Sequence, residues 1–334
     1  MHSLRQPYLI FLGDVGLKSD AKTGFGLRDW CGDSVIGEWA LPAATVSLGL
    51  PKLTPEQAAR RGAGSLVIGM AAVGGQLPAG WLPALEEALD AGLDIVSGLH
   101  TRLEGEPILA AAAARSGARL INIRHSDRAF PTGTGIRRSG HRVLTVGTDC
   151  ALGKKYTALA LTQALRKLGA NASFRATGQT GIMIAGRGIA IDAVVADFIA
   201  GAAEQLSPDN APGHWDVIEG QGALFHPAYA GVTLGLIHGS QPDAIVLCHD
   251  PLRHTIEGYP HIPLPPLAEA IRRYVEAARL TNPAVRCVGI AINSSSMDDA
   301  AWHDYRKSVA GELGLPVCDP MRGGVEAIAQ AMLA

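Results

Sequence analysis

The sequence predicts two α/β domains, each a parallel sheet wrapped by helices. Three observations carry that expectation. Apolar runs of four or five residues alternate with stretches of about ten at helical spacing, the pattern of repeated strand–helix–strand units. Aromatic residues are only 5% of the chain, while alanine and glycine are abundant, as in proteins that lay helices on sheets. A stretch rich in Gly, Ser and Arg, residues 126–142, interrupts the alternation and reads as a linker. The 334 residues suffice for two domains of ordinary size, drawn here as 1–135 and 136–334.

In the first domain, Tyr8–Leu12, Ser65–Gly69, Asp94–Ser97 and Arg119–Ile123 read as buried strands. Helices are expected over Pro83–Ala91 and Pro107–Ser116, stopped by Gly92 and Gly117. Polar residues collect where strands should end: Asp14, His100, Thr101, Arg102, Arg124 and His125. That edge is where open α/β sheets bind ligands. The first turn, Gly13-x-x-Gly16, is not a full dinucleotide fingerprint and does not point to NAD.

The second domain opens with the most informative stretch. Val143–Val146 reads as a buried strand, Gly147 and Gly153 bracket a loop, and Lys154 begins a helix with an apolar face, stopped near Gly169. Strand, glycine loop, lysine and helix make a phosphate cradle: loop N–H groups and the helix N-terminus carry partial positive charge, and lysine adds a full one. Two features depart from the usual P-loop. Five residues lie between the glycines where four are usual. The Ser/Thr that binds Mg²⁺ is replaced by Lys155, which cannot ligate a metal. A phosphate-rich ligand bound without obligatory metal is the expectation, held by Gly147, Thr148, Asp149, Cys150, Gly153, Lys154, Lys155, Tyr156 and Thr157. Cys150 stands near a helix N-terminus, which lowers a thiol pKa and would suit an acetyl carrier; the favoured reading is a small residue packed in the loop.

Ala172–Ala176 reads as the next strand, leading into Thr177-Gly-Gln-Thr-Gly181, a loop dense in donors. A helix is expected from Asp192, with that residue as N-cap. Trp215–Glu219 is a short strand that delivers a carboxylate into Gly220-Gln221-Gly222, where P-loop proteins place a second acidic residue. His226 and His238 follow in a glycine-rich segment. Asp243–Cys248 and Cys287–Ile292 are further strands, Pro260–Pro266 a surface loop, and Asp298–Leu313 a helix.

Composition narrows the function. Net charge is −2 with a pI near 6.6, so no basic surface for nucleic acid is implied. The five cysteines contain no Cys-x-x-Cys pair, as expected of reduced thiols without a zinc site. No basic region followed by a long apolar run stands at the N-terminus, and no stretch of about 18 apolar residues offers a membrane span. A cytoplasmic protein is expected, with no membrane or metal, and homo-oligomeric given its apolar character.

These motifs together carry a resemblance. The longer loop and the Glu-Gly-x-Gly element are similar to those of dethiobiotin synthetase, a P-loop ligase. Over nearly the whole chain the sequence resembles the D-glutamate N-acetyltransferase (DgcN-like) family. The resemblance rests on Phe11–Asp14, Ser97–Arg102, Gly147–Thr157, Phe174–Gly181, Ile218–Gly222 and Leu236–Asp243. It implies an N-terminal Rossmann-like domain, a C-terminal P-loop domain, and acetyl transfer from acetyl-CoA to the amino group of D-glutamate in D-amino-acid catabolism. Coenzyme A brings a pyrophosphate and a 3′-phosphate without obligatory Mg²⁺, which suits Lys154 and Lys155.

Such a transfer needs a base, oxyanion donors and a cation for substrate carboxylates. Glu219 and His226 are the candidate bases, with Asp192 as a third candidate catalytic residue. The Thr177–Gly181 and Gly220–Gly222 backbones are candidate oxyanion donors. Arg175, Thr177, Gln179, Thr180, Arg187 and Gln221 are the candidate contacts to a small-molecule D-amino acid. The alternative is a Mg-ATP-dependent ligase or kinase with Glu219 and Asp192 facing the metal; a non-catalytic nucleotide sensor is a third reading.

Overall fold

The computed structural model describes residues 4–18, 20–70, 75–125 and 129–334. It divides into two compact units, Met1–Arg128 with Gln179–Ala193, and Ala129–Gly178 with Val194–Ala334. This division differs from the partition at 135/136. The linker stretch joins the second unit from Ala129 onward, and a segment from the middle of the second half belongs to the first unit. Residues 126–128 of the linker lie outside the described residues.

The first unit holds β1 (Tyr8–Phe11), α1 (Lys22–Cys31), β2 (Val35–Trp39), α2 (Pro55–Arg60), β3 (Ser65–Ile68), α3 (Leu82–Asp90), β4 (Asp94–Ser97), α4 (Pro107–Ser116) and β5 (Leu120–Asn122). Its sheet is wholly parallel in the order β2-β1-β3-β4-β5. Sequence order reverses between β1 and β3, and such a switch point opens a crevice at the strands' C-terminal ends. The helices stop where alternatives to helix become favourable: Gly117 turns left-handed at φ +74° after α4, and α2 starts with a capping box between Thr54 and Gln57. Strand β2 is invisible to apolar pattern because Gly37 and a buried Glu38 occupy its middle. The Glu38 carboxylate accepts from the Leu48 amide and the Ser47 hydroxyl, each at 2.6 Å. The apolar core on one sheet face runs through Phe11, Leu66, Ile95 and Trp81, with Trp81 edge-on to Phe11 at 5.4 Å.

The second unit begins with β6 (His141–Gly147), α5 (Lys154–Lys167) and β7 (Asn171–Arg175). The chain then enters the first unit as α6 (Gln179–Ala185) and a 3-10 turn, Ile191–Ala193. Back in the second unit come α7 (Ile199–Leu206), β8 (His214–Ile218), α8 (Ala230–Ser240), β9 (Ala244–His249), the short hairpin β10 (Thr255–Ile256) and β11 (Tyr259–Pro263), α9 (Leu267–Arg279), β12 (Arg286–Ile292), α10 (Asp299–Leu313), β13 (Val317–Cys318) and α11 (Glu326–Leu333). The main sheet is parallel in the order β13-β12-β9-β6-β8-β7. The chain runs from β6 outward to β7, back to β8 beside β6, then across to β9 on the other flank. The loop after β6 therefore stands at a switch point.

Several expectations change. No helix starts at Asp192; α7 begins at Ile199, and Asp192 sits in a 3-10 turn. The segment bearing His238 is helix α8, and part of the proline-rich loop is β11. Arg142, placed in the linker, is the second residue of β6 and is buried. Its guanidinium donates to the Ser207 hydroxyl and to the carbonyls of Arg138, Ser139, Gly140 and Pro208, so five oxygens replace its hydration. No helix among the described residues is long and apolar enough to cross a membrane.

Candidate functional site

The loop after β6 is a cradle built by backbone conformation. Gly153 caps α5 in the left-handed region at φ +95°, and Ala151 adopts φ +54°. A non-glycine residue there costs roughly 1–2 kcal/mol, and such strain gathers at ligand clamps. Lys154, only 7% exposed, folds back to donate from Nζ to the Asp149 carbonyl at 2.8 Å. Burial holds its ammonium below its ordinary pKa. A buried cation whose hydrogen-bond partner is a neutral carbonyl is suited to receiving an anion.

Other loop side chains hold the loop's shape. Asp149 is fully buried. Its Oδ1 accepts from the Cys150 amide at 2.7 Å, and its Oδ2 accepts from Arg253 at 3.0 Å and the Glu257 amide at 2.8 Å. The Thr148 hydroxyl pairs with His249 Nδ1 at 2.9 Å, and burial lowers the His249 pKa to about 4. The Tyr274 hydroxyl donates to the Gly147 carbonyl at 2.7 Å. Lys155 lies over the ring of Tyr156 at 4.7 Å, and Thr157 donates to the Gly153 carbonyl at 3.1 Å. The thiol expectation is reversed: burial raises the Cys150 pKa, outweighing the pull of Lys154.

Glu219 stands at the end of β8, 3% exposed. Its Oε2 accepts from the amides of Thr177 and Gly178 at 2.9 and 3.0 Å. The Thr177 hydroxyl donates to the Glu219 carbonyl at 2.6 Å and accepts from Gln221 Nε2 at 3.2 Å. Glycine follows Glu219 of necessity: a Cβ on Gly220 would fall 1.7 Å from the Thr145 carbonyl oxygen. The Gly220 amide donates to the Thr145 hydroxyl at 2.9 Å. The amides of Thr177, Gly178 and Gly220 are thus engaged internally, which removes them from the expected oxyanion donors.

His226, 3% exposed, packs between Tyr229 and Tyr259, at 4.5 and 5.2 Å between centroids. Its Nδ1 accepts from the Ala228 amide at 3.2 Å, which leaves Nε2 as the ring's donor. Potential ligand atoms of Asp149, Cys150 and His226 lie within 4.8 Å of one another. We assign no metal to this cluster, because Arg253 already balances the Asp149 carboxylate and the Lys154 ammonium stands beside it.

The remaining candidates have other partners or belong to the other unit. Arg175 donates from Nε to the buried Asp216 at 2.8 Å, so it braces neighbouring strands. Gln179, Thr180, Arg187 and Asp192 belong to the first unit. There Arg187 is exposed, Thr180 shares a hydrogen bond with Thr23 at 2.9 Å, and Asp192 is ion-paired with Arg124. The first-unit turn after β1 is filled: the Trp81 indole occupies the space where a Gly13 side chain would project and donates to Asp14 at 3.0 Å. Sequence reasoning missed Arg253, Tyr274 and Thr145. Arg253 had a usable signal, a basic residue just past the C-terminal end of a buried strand; Tyr274 lies on a helix face and had none.

Two parallel-sheet units, one carrying a lysine-bearing glycine loop at its switch point, define a protein that joins a Rossmann-like domain to a P-loop domain. Residues 36–126 match the domain of unknown function DUF1611_N, a Rossmann-like domain, and residues 130–329 match DUF1611_C, a P-loop domain. The chain belongs to this family. It is 46% identical over 325 residues to a protein from a Pseudoalteromonas species named D-glutamate N-acetyltransferase, covering 97% of this chain and 98% of that one. It is 44% identical over 331 residues to the protein of the same name from Tritonibacter scottomollicae, covering 99% of each. The crystal structure of a DUF1611 family protein from Anabaena variabilis matches with a TM-score of 0.88 at 36% identity, over 98% of this chain and 99% of that one. The chain thus shares its family with N-acetyltransferase enzymes.

Proposed function

We propose that this protein transfers the acetyl group of acetyl-CoA to the amino group of D-glutamate or a close D-amino acid, a step of D-amino-acid catabolism. The observation that carries the reading is Lys154, a buried ammonium on a glycine loop with a neutral hydrogen-bond partner and a lysine after it. That set favours the phosphates of a coenzyme A carrier. The position after Lys154 lacks the hydroxyl that Mg-ATP chemistry uses.

The remaining chemistry is proton management. The substrate ammonium must lose a proton before its nitrogen attacks the thioester carbon. As the C–N bond forms, the C–S bond breaks and coenzyme A leaves as its thiol. Glu219, oriented by two backbone amides, is the group placed to accept the ammonium proton. His226, with Nε2 as its donor, suits donation to a developing oxyanion or to the leaving sulfur better than general-base duty.

The test is direct. Purified protein, acetyl-CoA and D-glutamate in EDTA should release free thiol and form N-acetyl-D-glutamate by mass spectrometry. Mg²⁺-dependent ATP turnover without thiol release would replace this reading with the ligase one.

A further inference from the structure

The first unit contains a cavity of about 180 Å³ among the described residues. It opens at the C-terminal edge of the sheet: Ile68 ends β3, Gly98 and Leu99 follow β4, and Arg124 follows β5. Thr23 from the first turn of α1, Gln179 and Met183 from α6, and Met70, Gly75 and His100 also line it. The sheet order switches direction between β1 and β3, so this is the crevice that an open α/β sheet offers to ligands.

Arg124 is the cavity's full cation. Its side chain is 13% exposed and anchored by Nε to the Gly98 carbonyl at 2.8 Å. This leaves the outer guanidinium edge presented, and Asp192 sits on it through Nη1. The guanidinium edge thus pairs with a carboxylate in the structure. Asp192 itself is not among the residues that line the cavity. It is 31% exposed, in a three-residue 3-10 turn at the far end of the excursion from the second half of the chain. Ile68, Leu99 and Met183 in the lining give apolar surface for methylenes, and Gln179 and Thr23 supply neutral polar groups. A water occupies about 30 Å³ of liquid, so the cavity suits a small molecule of a few carbons.

We infer that this cavity binds a small aliphatic carboxylate, with Arg124 as its anchor and Asp192 as an internal carboxylate that the ligand displaces. The forked guanidinium then holds one carboxylate, the apolar lining takes the methylenes, and Asp192 competes with the ligand for Arg124.

The two partners of one ion pair should then respond with opposite signs. Binding of D-glutamate and of glutarate, which lacks the amine, is measured by calorimetry on the full chain with and without coenzyme A. Both should bind wild type. Arg124→Leu should weaken binding roughly ten- to hundredfold, the loss of one charge-assisted contact, while Asp192→Asn tightens it. A purely structural ion pair weakens both variants alike. If Arg124→Leu fails to fold by circular dichroism, Arg124→Lys, which keeps charge but loses the fork, takes its place with the same expected direction. Binding insensitive to Arg124→Lys and Asp192→Asn, or no binding in a protein that still acetylates D-glutamate, overturns the cavity and spares the function. Binding with these opposite signs in a protein that acetylates nothing supports the cavity and overturns the function.

Discussion

In the second unit the cation at the sheet edge, Lys154, is buried against a neutral carbonyl; in the first, Arg124 is anchored by one carbonyl and already holds a carboxylate. Both follow the C-terminal end of a parallel strand, Lys154 at a topological switch point and Arg124 after the edge strand β5. They differ in what completes them. The Lys154 charge is opposed by burial and its hydrogen-bond partner is neutral, so an anion reaching it would offset part of that cost. Arg124 is balanced from within, so a ligand there must outcompete an intramolecular carboxylate. On the readings proposed above, the Lys154 edge takes a highly charged carrier and the Arg124 edge a small acid that exchanges with Asp192.

The largest test removes the chemistry and leaves both cations in place. Glu219→Gln should lower kcat about 10²–10⁴-fold, while acetyl-CoA affinity, measured by calorimetry, stays near wild type. Turnover close to wild type would move the base elsewhere.

Lys154→Met tests the charge imbalance itself. Acetyl-CoA binding should weaken on the order of ten- to hundredfold, yet the protein without ligand should melt at a higher temperature. The pH dependence has a definite sign. The folded pKa of Lys154 lies below its ordinary value of 10.5, so between the two the unfolded chain holds a proton that the folded chain has released. Stability therefore rises with pH across that window, and the deficit of wild type against Lys154→Met should shrink toward pH 10.5. A deficit independent of pH would mean that Lys154 is compensated in the folded state.

Ala151→Gly probes the cradle's backbone. Relief of the left-handed alanine should stabilise the protein by about 1 kcal/mol or less in urea denaturation, because glycine also loosens the unfolded chain. Ala151→Val should destabilise. If neither variant shifts the midpoint, the strain assigned to this position is absent.

The smallest expected effect is at Cys150. With its thiol pKa raised by burial, it is poorly placed to carry an acetyl group, and Cys150→Ser should keep most activity. An acetyl-enzyme isolated from wild type and missing from the variant would reverse that conclusion.

Much of this architecture was legible in residue order. Apolar runs bounded by glycine located most of the strands, since parallel strands covered on both faces must be continuously apolar. The lysine-bearing loop and Glu219 were legible because glycine, lysine and glutamate at strand ends have few structural reasons to be there. Strand β2 escaped because its buried glutamate is satisfied by amides ten and twelve residues away, which no local pattern reveals. Arg142 looked like linker charge because the oxygens that bury it come from Ser207, Pro208 and a turn folded back on itself.

The sequence by itself determined two parallel sheets, the phosphate loop, and the absence of a metal-binding hydroxyl after Lys154, because these follow from residue types at fixed local spacing. Only the tertiary structure decided what each charged group does. Asp149 became a brace for Arg253, Arg175 a partner of Asp216, and Asp192 the occupant of Arg124 in the first unit. Strand ends from distant parts of the chain meet at one sheet edge, and a charge takes the nearest complementary group in space, whatever its distance along the chain.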